Sequence, residues 1–429
     1  MAFNINEAGI IVGHDSVRGV QVFAKMLDTR LNYTHALGAA AVLAPVLGLF
    51  APLLIAPLAI VAMVAAILMD IRRRPSFPRI DWPFLAPLLG LLGWSAVTLI
   101  WSVDGMGAVQ KWGTVAAAMI PFVYLVMRMQ AIEERERCFL GRAICLGAGL
   151  GAGFLVFEII TDGFIILDVL QQESPKGKFT HLINRAAAVL LLFAWLAVAA
   201  APAYRWAIIA AGAILGYLLP SESALLAYVL GGVVYMATLV APWAIRIMLP
   251  VAMAGTILLA PILFTAINQP VRSVAGQSNP SMVHRLEIWD FAIDRIRERP
   301  WAGWGFNGSR AVPGGNQRYQ VKDGAGAVIG EGDRLPLHPH NGALQIWLEL
   351  GAPGALLAAA LAGLVGYRAA MTFGSKHRAM ATALTTTVFL VWLMSFGIWQ
   401  SWWFAQLCLT ALLAVPFGRR EHSPGSVAP

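Results

Sequence analysis

The chain has 429 residues, 58% of them hydrophobic and only 13% charged. A soluble protein of this length would carry about a quarter charged residues, so a set of soluble domains is excluded. The net charge of +8 argues for no nucleic-acid partner, because no stripe of Lys and Arg interleaved with aromatics accompanies it. Cys138, Cys145 and Cys408 lack the spacing of a metal knuckle, and no structural disulfide is expected.

Residues 1–35 lack the basic start and short apolar core of a signal peptide. Val20, Phe23, Leu27 and Leu31 recur at helical spacing, with Arg18, Lys25, Asp28 and Arg30 between them. This pattern predicts a cytoplasmic amphipathic helix lying on the membrane surface. Apolar runs then predict about twelve transmembrane helices, each of a length suited to a ~30 Å hydrocarbon core. Their approximate cores are 36–51, 52–69, 83–101, 112–128, 139–160, 183–201, 206–219, 223–241, 244–266, 342–367, 380–397 and 401–417. The fold class is therefore an all-α polytopic membrane protein. It divides into nine spans over 36–266, a large loop over 267–341, three spans over 342–417 and a cytoplasmic tail over 418–429.

The distribution of positive charge fixes the orientation. With the N-terminus inside, cytoplasmic loops hold Arg72, Arg73, Arg74, Arg79, Arg128, Arg135, Arg137, Arg205, Arg246, Arg368, Lys376 and Arg378. The tail adds Arg419 and Arg420, whereas short loops on the other side hold chiefly Lys111, Lys176 and Lys178. That asymmetry supports both ends inside and places the 267–341 loop outside. Long loops usually carry function. Within this one, "MVHRLEIWDFAIDRIRER" puts Leu286, Trp289, Ile293 and Ile296 on one helical face. Pro300 stops that helix, and a Gly-rich turn follows.

The loop ends on His338-Pro339-His340-Asn341, and Asn341, Gln345 and Glu349 then recur every fourth residue along the next helix. Alternating histidines suit a metal pair, an interfacial helix start, or a proton-handling site, since imidazole titrates near neutral pH. Asn341 also suits an N-cap, while a carboxylate two turns into a membrane helix needs a partner or water. Arg185 opens the sixth span, and Arg285 lies in the loop helix beside His284. Each suits a solvated or snorkelling position, and together they suit a phosphate or pyrophosphate clamp. Neither a Walker loop nor an Asp-x-Asp pair accompanies them, so soluble-type nucleotide hydrolysis and a metal-held sugar nucleotide are both disfavoured. A phosphate-bearing lipid fits better. A transporter or flippase is the rival class, but polar residues concentrate at one outer face and not at mid-membrane breaks.

Three elements carry a family resemblance: Arg285-x-x-x-Trp289, Pro300-x-x-Gly303-x-Gly305, and His338-x-His340-Asn341-x-x-Leu344-Gln345. With the large outer loop, they resemble the O-antigen ligase and polymerase superfamily, most closely its ligases, over roughly residues 180–370. The resemblance implies a GT-C-like glycosyltransferase in the bacterial inner membrane, working at the periplasmic face without metal or cofactor. The implied donor is a glycan on undecaprenyl diphosphate. The implied acceptor is a lipid A–core sugar hydroxyl for a ligase, or a second lipid-linked glycan for a polymerase of O-antigen or exopolysaccharide. By position, His340 matches the family's essential histidine, and Arg185 and Arg285 match diphosphate-binding arginines. His338, Asn341, Gln345 and Glu349 are implied to contact substrate. Many members carry Ser-Arg near the start of the eighth span, where this chain has Ser221-Glu222-Ser223. Lys178 and Arg310 are the candidates to replace that third arginine.

Overall fold

The computed structural model describes residues 32–73, 80–130, 132–173, 179–275, 280–322, 328–371 and 373–418. The surface helix expected before residue 32, Lys178, and the tail beyond residue 418 lie outside them. Fourteen helices make up nearly all the regular structure of the described residues. They are α1 (Tyr33–Phe50), α2 (Ile55–Arg73), α3 (Trp82–Val97), α4 (Met106–Met129) and α5 (Glu134–Ile160). Next come α6 (Asn184–Ala200), α7 (Arg205–Leu218), α8 (Glu222–Val240), α9 (Pro242–Leu258) and α10 (Ala260–Ala275). The series closes with α11 (Pro280–Glu298), α12 (Gly342–Met371), α13 (Ser375–Met394) and α14 (Ser401–Ala414). One antiparallel hairpin pairs β1 (Arg318–Lys322) with β2 (Val328–Asp333), in the register Arg318 to Asp333 and Gln320 to Glu331.

Each apolar run read from the sequence is a helix here, which bears out the all-α polytopic class. The number of spans differs. Eight of these helices are long and apolar enough to cross a bilayer, or up to ten if each of two bent pairs forms one span, against about twelve expected. Proline causes much of the difference. The sequence Ala-Pro recurs at 51–52, 201–202 and 241–242, and the alanine before each proline is pushed out of the helical region, at φ/ψ of −151/62, −131/65 and −133/62. The alanine N–H closes the preceding helix onto the carbonyls of Leu47, Ala197 and Ala237, and the proline starts the next. At the second corner the chain bends by 115°. The 14-residue α7 spans only ~21 Å, too little for the hydrocarbon core. The expected span 244–266 is likewise bent, by 82°, between α9 and α10. In α13, His377, Arg378 and the threonines at 382 and 385–387 lower the apolarity.

Helix α6 is buried on every side from Ala186 to Ala199 and packs against α1, α5, α7, α13 and α14. An all-round apolar helix is stable only in such a central position. At the α1–α5 contact, a side chain on Gly147 would collide with the backbone of Ala41, so the close approach requires glycine. Outward faces expose Ile120, Val229, Ile247, Val251 and Ile262, as lipid contact demands. Ion pairs, the first buried and the second partly exposed, sit at the ends of α4 and α12 remote from the loop. Arg128 meets Asp70 at 2.5 Å, and Arg368 Nη2 meets Asp81 at 2.7 Å.

The loop shares a core with the membrane helices. Leu286, Trp289, Ile293 and Ile296 of α11 are all buried, as the helical spacing predicted, and cluster with Trp304, Phe306, Ala343, Leu344 and Leu348. The hairpin lies against α11 at the ring of His284, whose Nε2 is 3.2 Å from the carbonyl of Asp333.

Candidate active site

The site is built on a broken helix. Within α12, Gly351 has φ 62 and ψ −163, and Pro353 follows. The break removes the normal donors to the carbonyls of Leu348 and Glu349, because Ala352 N turns to Pro300 O and residue 353 has no N–H at all. At membrane depth such carbonyls need other partners. The turn from Pro300 to Gly305 supplies them: Trp304 N donates to Leu348 O at 2.8 Å and Gly305 N to Glu349 O at 2.9 Å. In return Ala352 N donates to Pro300 O at 2.8 Å, and Trp94 Nε1 donates to Leu350 O at 2.8 Å. Gly303 has φ +64, and a Cβ there would stand 2.5 Å from the Glu349 carbonyl oxygen. The Pro-x-x-Gly-x-Gly motif is thus a splint laid across the helix break.

Glu349 fastens the same layer from inside. It is fully buried and accepts four hydrogen bonds: from Asn307 N (2.8 Å), Ser309 Oγ (2.6 Å), Gln345 Nε2 (2.9 Å) and Trp399 Nε1 (2.6 Å). Gln345 Oε1 in turn accepts from Ile398 N at 3.1 Å. The structure therefore places Gln345 and Glu349 beneath the site, with their contacts used within the protein. Asn341 caps α12 through Oδ1, which accepts from Leu344 N at 3.0 Å, while its Nδ2 is buried with no hydrogen-bond partner among the described residues.

Above this layer lie the histidines. Trp289 of the Arg-x-x-x-Trp element donates from Nε1 to the carbonyl of Pro339 at 3.0 Å, tying α11 to the His-Pro-His segment. His340 adopts a left-handed backbone, φ 52, which costs a non-glycine residue roughly 1–2 kcal/mol. Its Nδ1 lies 2.9 Å from the carbonyl of Ser395. A carbonyl only accepts, so Nδ1 carries the proton and Nε2 holds the free lone pair. Burial pushes its pKa below the ordinary histidine value; the Ser395 bond opposes this, and the charges of Arg285 and His284 add to it. His338 is 5% exposed and its ring centroid is 4.2 Å from that of His340. Its Nδ1 accepts from His340 N at 3.1 Å, and its Nε2 is 3.1 Å from the side-chain amide of Gln400. Burial, then the charges of His340, Arg310 and Arg285, lower its pKa to about 3. Both rings are neutral at pH 7.

Cationic side chains converge on the histidines from separate elements. Arg285 is half-buried one helical turn before Trp289, and burial lowers its pKa against the pull of Glu222 at the start of α8. Arg310 is exposed at the end of the short turn Gly308–Arg310, close enough to act on His338. Arg185 is exposed in the first turn of α6, its guanidinium 6.0 Å from the ring of Trp402, whose Nε1 donates to Gln400 Oε1 at 3.3 Å. The structure thus brings His338, His340, Arg285 and Arg310 into one electrostatic group, with Arg185 linked to it through Trp402 and Gln400.

Sequence reading missed several members of this group. Lys111 counted only toward topology, yet its Nζ is 3.2 Å from Ser401 Oγ. Ser395 fell inside the expected span 380–397 and Gln400 between two expected spans, and nothing local marks them. Among the described residues, no three His, Cys, Asp or Glu side chains gather as a metal-ligand set.

Comparison with known proteins converges on the same region. Residues 206–359 match the family model described as O-antigen ligase, which takes in Arg285, the splint, both histidines and the first half of α12. A protein named "Putative polysaccharide ligase" from Rickettsia bellii is 26% identical over 341 residues, covering 76% of this chain and 79% of its own. A similarly named protein of Rickettsia conorii is 27% identical over 281 residues, covering 61% of this chain and 66% of its own. One from Rickettsia typhi is 33% identical over 143 residues, 32% of this chain and 34% of its own. No solved structure matches. The resemblance read from the three motifs is borne out: on a polytopic all-α membrane fold, residues 206–359 of this chain match the O-antigen ligase family.

Proposed function

We propose that the protein transfers a glycan from undecaprenyl diphosphate to a sugar hydroxyl of lipid A–core, at the periplasmic face of the bacterial inner membrane. The observation that carries this reading is the pairing of an unprotonated His340 Nε2 with a surrounding group of arginines. A hydroxyl attacking an anomeric carbon must lose its proton, and the departing diphosphate must have its charge met. His340 Nε2 takes the hydroxyl proton as the new C–O bond forms. The bond from the anomeric carbon to the phosphate oxygen breaks, and the diphosphate leaves with the electron pair. Arg285 and Arg185 hold the diphosphate through guanidinium forks suited to phosphate oxygens, with Arg310 and Lys178 adding positive charge. Arg185 stands at the positive end of α6, which favours an anion further. A single displacement inverts the anomeric centre. The mechanism takes no metal or cofactor, and membrane lipids are the medium from which both substrates arrive.

The test is lipopolysaccharide gel analysis of a deletion strain complemented with wild-type chain or His340→Ala. The deletion and His340→Ala strains should show core-only lipid A with accumulated lipid-linked polymer. Core bearing a single repeat unit would assign a polymerase instead. Full activity of an expressed, inserted His340→Ala protein would remove the base assignment.

A further inference from the structure

The His-Pro-His segment is a closed turn. Nδ1 of His338 accepts the backbone N–H of His340, two residues on, at 3.1 Å. This is the bond that an Asn or Asp side chain makes in an Asx turn. Pro339 between them fixes its own φ and keeps His338 out of the helical region. Two further contacts hold the turn. Trp289 Nε1 donates to the Pro339 carbonyl, and Gly397 lies flat beneath the ring. A Cβ on Gly397 would stand 2.8 Å from His338 Cδ2. The ring is thus clamped on its Nδ1 edge and one face, and it is buried. The turn is what leaves His340 at φ 52, a conformation that a bulky residue keeps only when its surroundings impose it.

We propose that His338 is a positioning residue, an Asx-turn equivalent that holds His340 in the left-handed conformation that frees its Nε2. His338 neither takes up the substrate proton nor ligates a metal. This inference rests on the proposed role of His340.

Side-chain geometry supplies a sharp test. Asn places its Oδ1 where histidine has Nδ1, whereas Gln places its amide near the Nε2 position. His338→Asn therefore keeps the acceptor for His340 N–H, and His338→Gln loses it. The measurement is steady-state glycan transfer by the full-length protein in nanodiscs, with lipid-linked donor extracted from the deletion strain and lipid A–core as acceptor. If the base is misplaced, kcat should fall about 100-fold in His338→Gln and His338→Leu, with His338→Asn within about threefold of wild type and donor KM little changed. Monodisperse elution shows that each variant is folded. His338→Asn as inactive as His338→Leu would overturn the proposal, because a base or a metal ligand is not restored by an amide oxygen. His338→Gln as active as wild type would overturn it too. An active His340→Ala variant in the same assay would instead strike at the role of His340 itself.

Discussion

Replacing Glu349 with Gln isolates the contribution of the buried carboxylate. The shape of the side chain is kept, but one of its two oxygens becomes an NH2 group. Asn307 N and Trp399 Nε1 both donate to Oε2, and Ser309 Oγ and Gln345 Nε2 both donate to Oε1. Whichever way the new amide turns, its nitrogen faces two donors. Ser309 can rotate its hydroxyl away, but Gln345 cannot flip without abandoning the bond from Ile398 N. One to two buried donors are therefore stranded, at a cost of about 1–3 kcal/mol each. The expected loss is about 2–4 kcal/mol, read as a lowered midpoint of heat-induced aggregation in detergent by fluorescence-detected size exclusion. Transfer activity should fall with it, because Asn307, Gln345 and Trp399 all border the site. A Glu349→Gln protein with wild-type midpoint and yield would refute the reasoning.

Two other outcomes are expected. Gly303→Ala places a Cβ against the Glu349 backbone at a φ of +64, so the splint should lift; the check is a sharp fall in membrane-inserted yield, against little change for Gly255→Ala, where a Cβ meets nothing within 4 Å. His338 is held down to about 3 from an ordinary 6.5, so below pH 6.5 the unfolded chain takes up a proton that the folded chain refuses. The associated stability is complete above pH 6.5 and is lost on acidification toward pH 3, at about 1.4 kcal/mol per pH unit. Wild type should therefore lose more stability than His338→Asn between pH 7 and 5.

Much of the scaffold was legible because membrane helices announce themselves by length and apolarity. The buried face of α11 followed from spacing alone, with Leu286, Trp289, Ile293 and Ile296 all facing the core. The Ala-Pro corners were visible as letters, but a 115° bend depends on what packs around it. The site was only half legible. Arg285, His338 and His340 stood in motifs, whereas Lys111 and Gln400 reach the group from segments nearly 300 residues apart. The burial of Glu349 was suggested by its depth, yet its partners Asn307 and Ser309 lie 42 and 40 residues away. The left-handed backbone of His340 has no local signature, since glycine or asparagine would be the expected residue there.

The splint also bears on how the protein is made. The first turns of α12 cannot be at rest in lipid until the Pro300–Gly305 segment has come alongside, because the carbonyls of Leu348 and Glu349 have no other donors. The segment that repairs the helix is synthesised before the helix and, in the proposed orientation, must already have crossed the bilayer when α12 inserts. Translocation of the loop and seating of α12 are therefore one event in biogenesis. A chain whose loop stalls on the wrong side is left with a defective membrane helix that quality-control proteases can recognise.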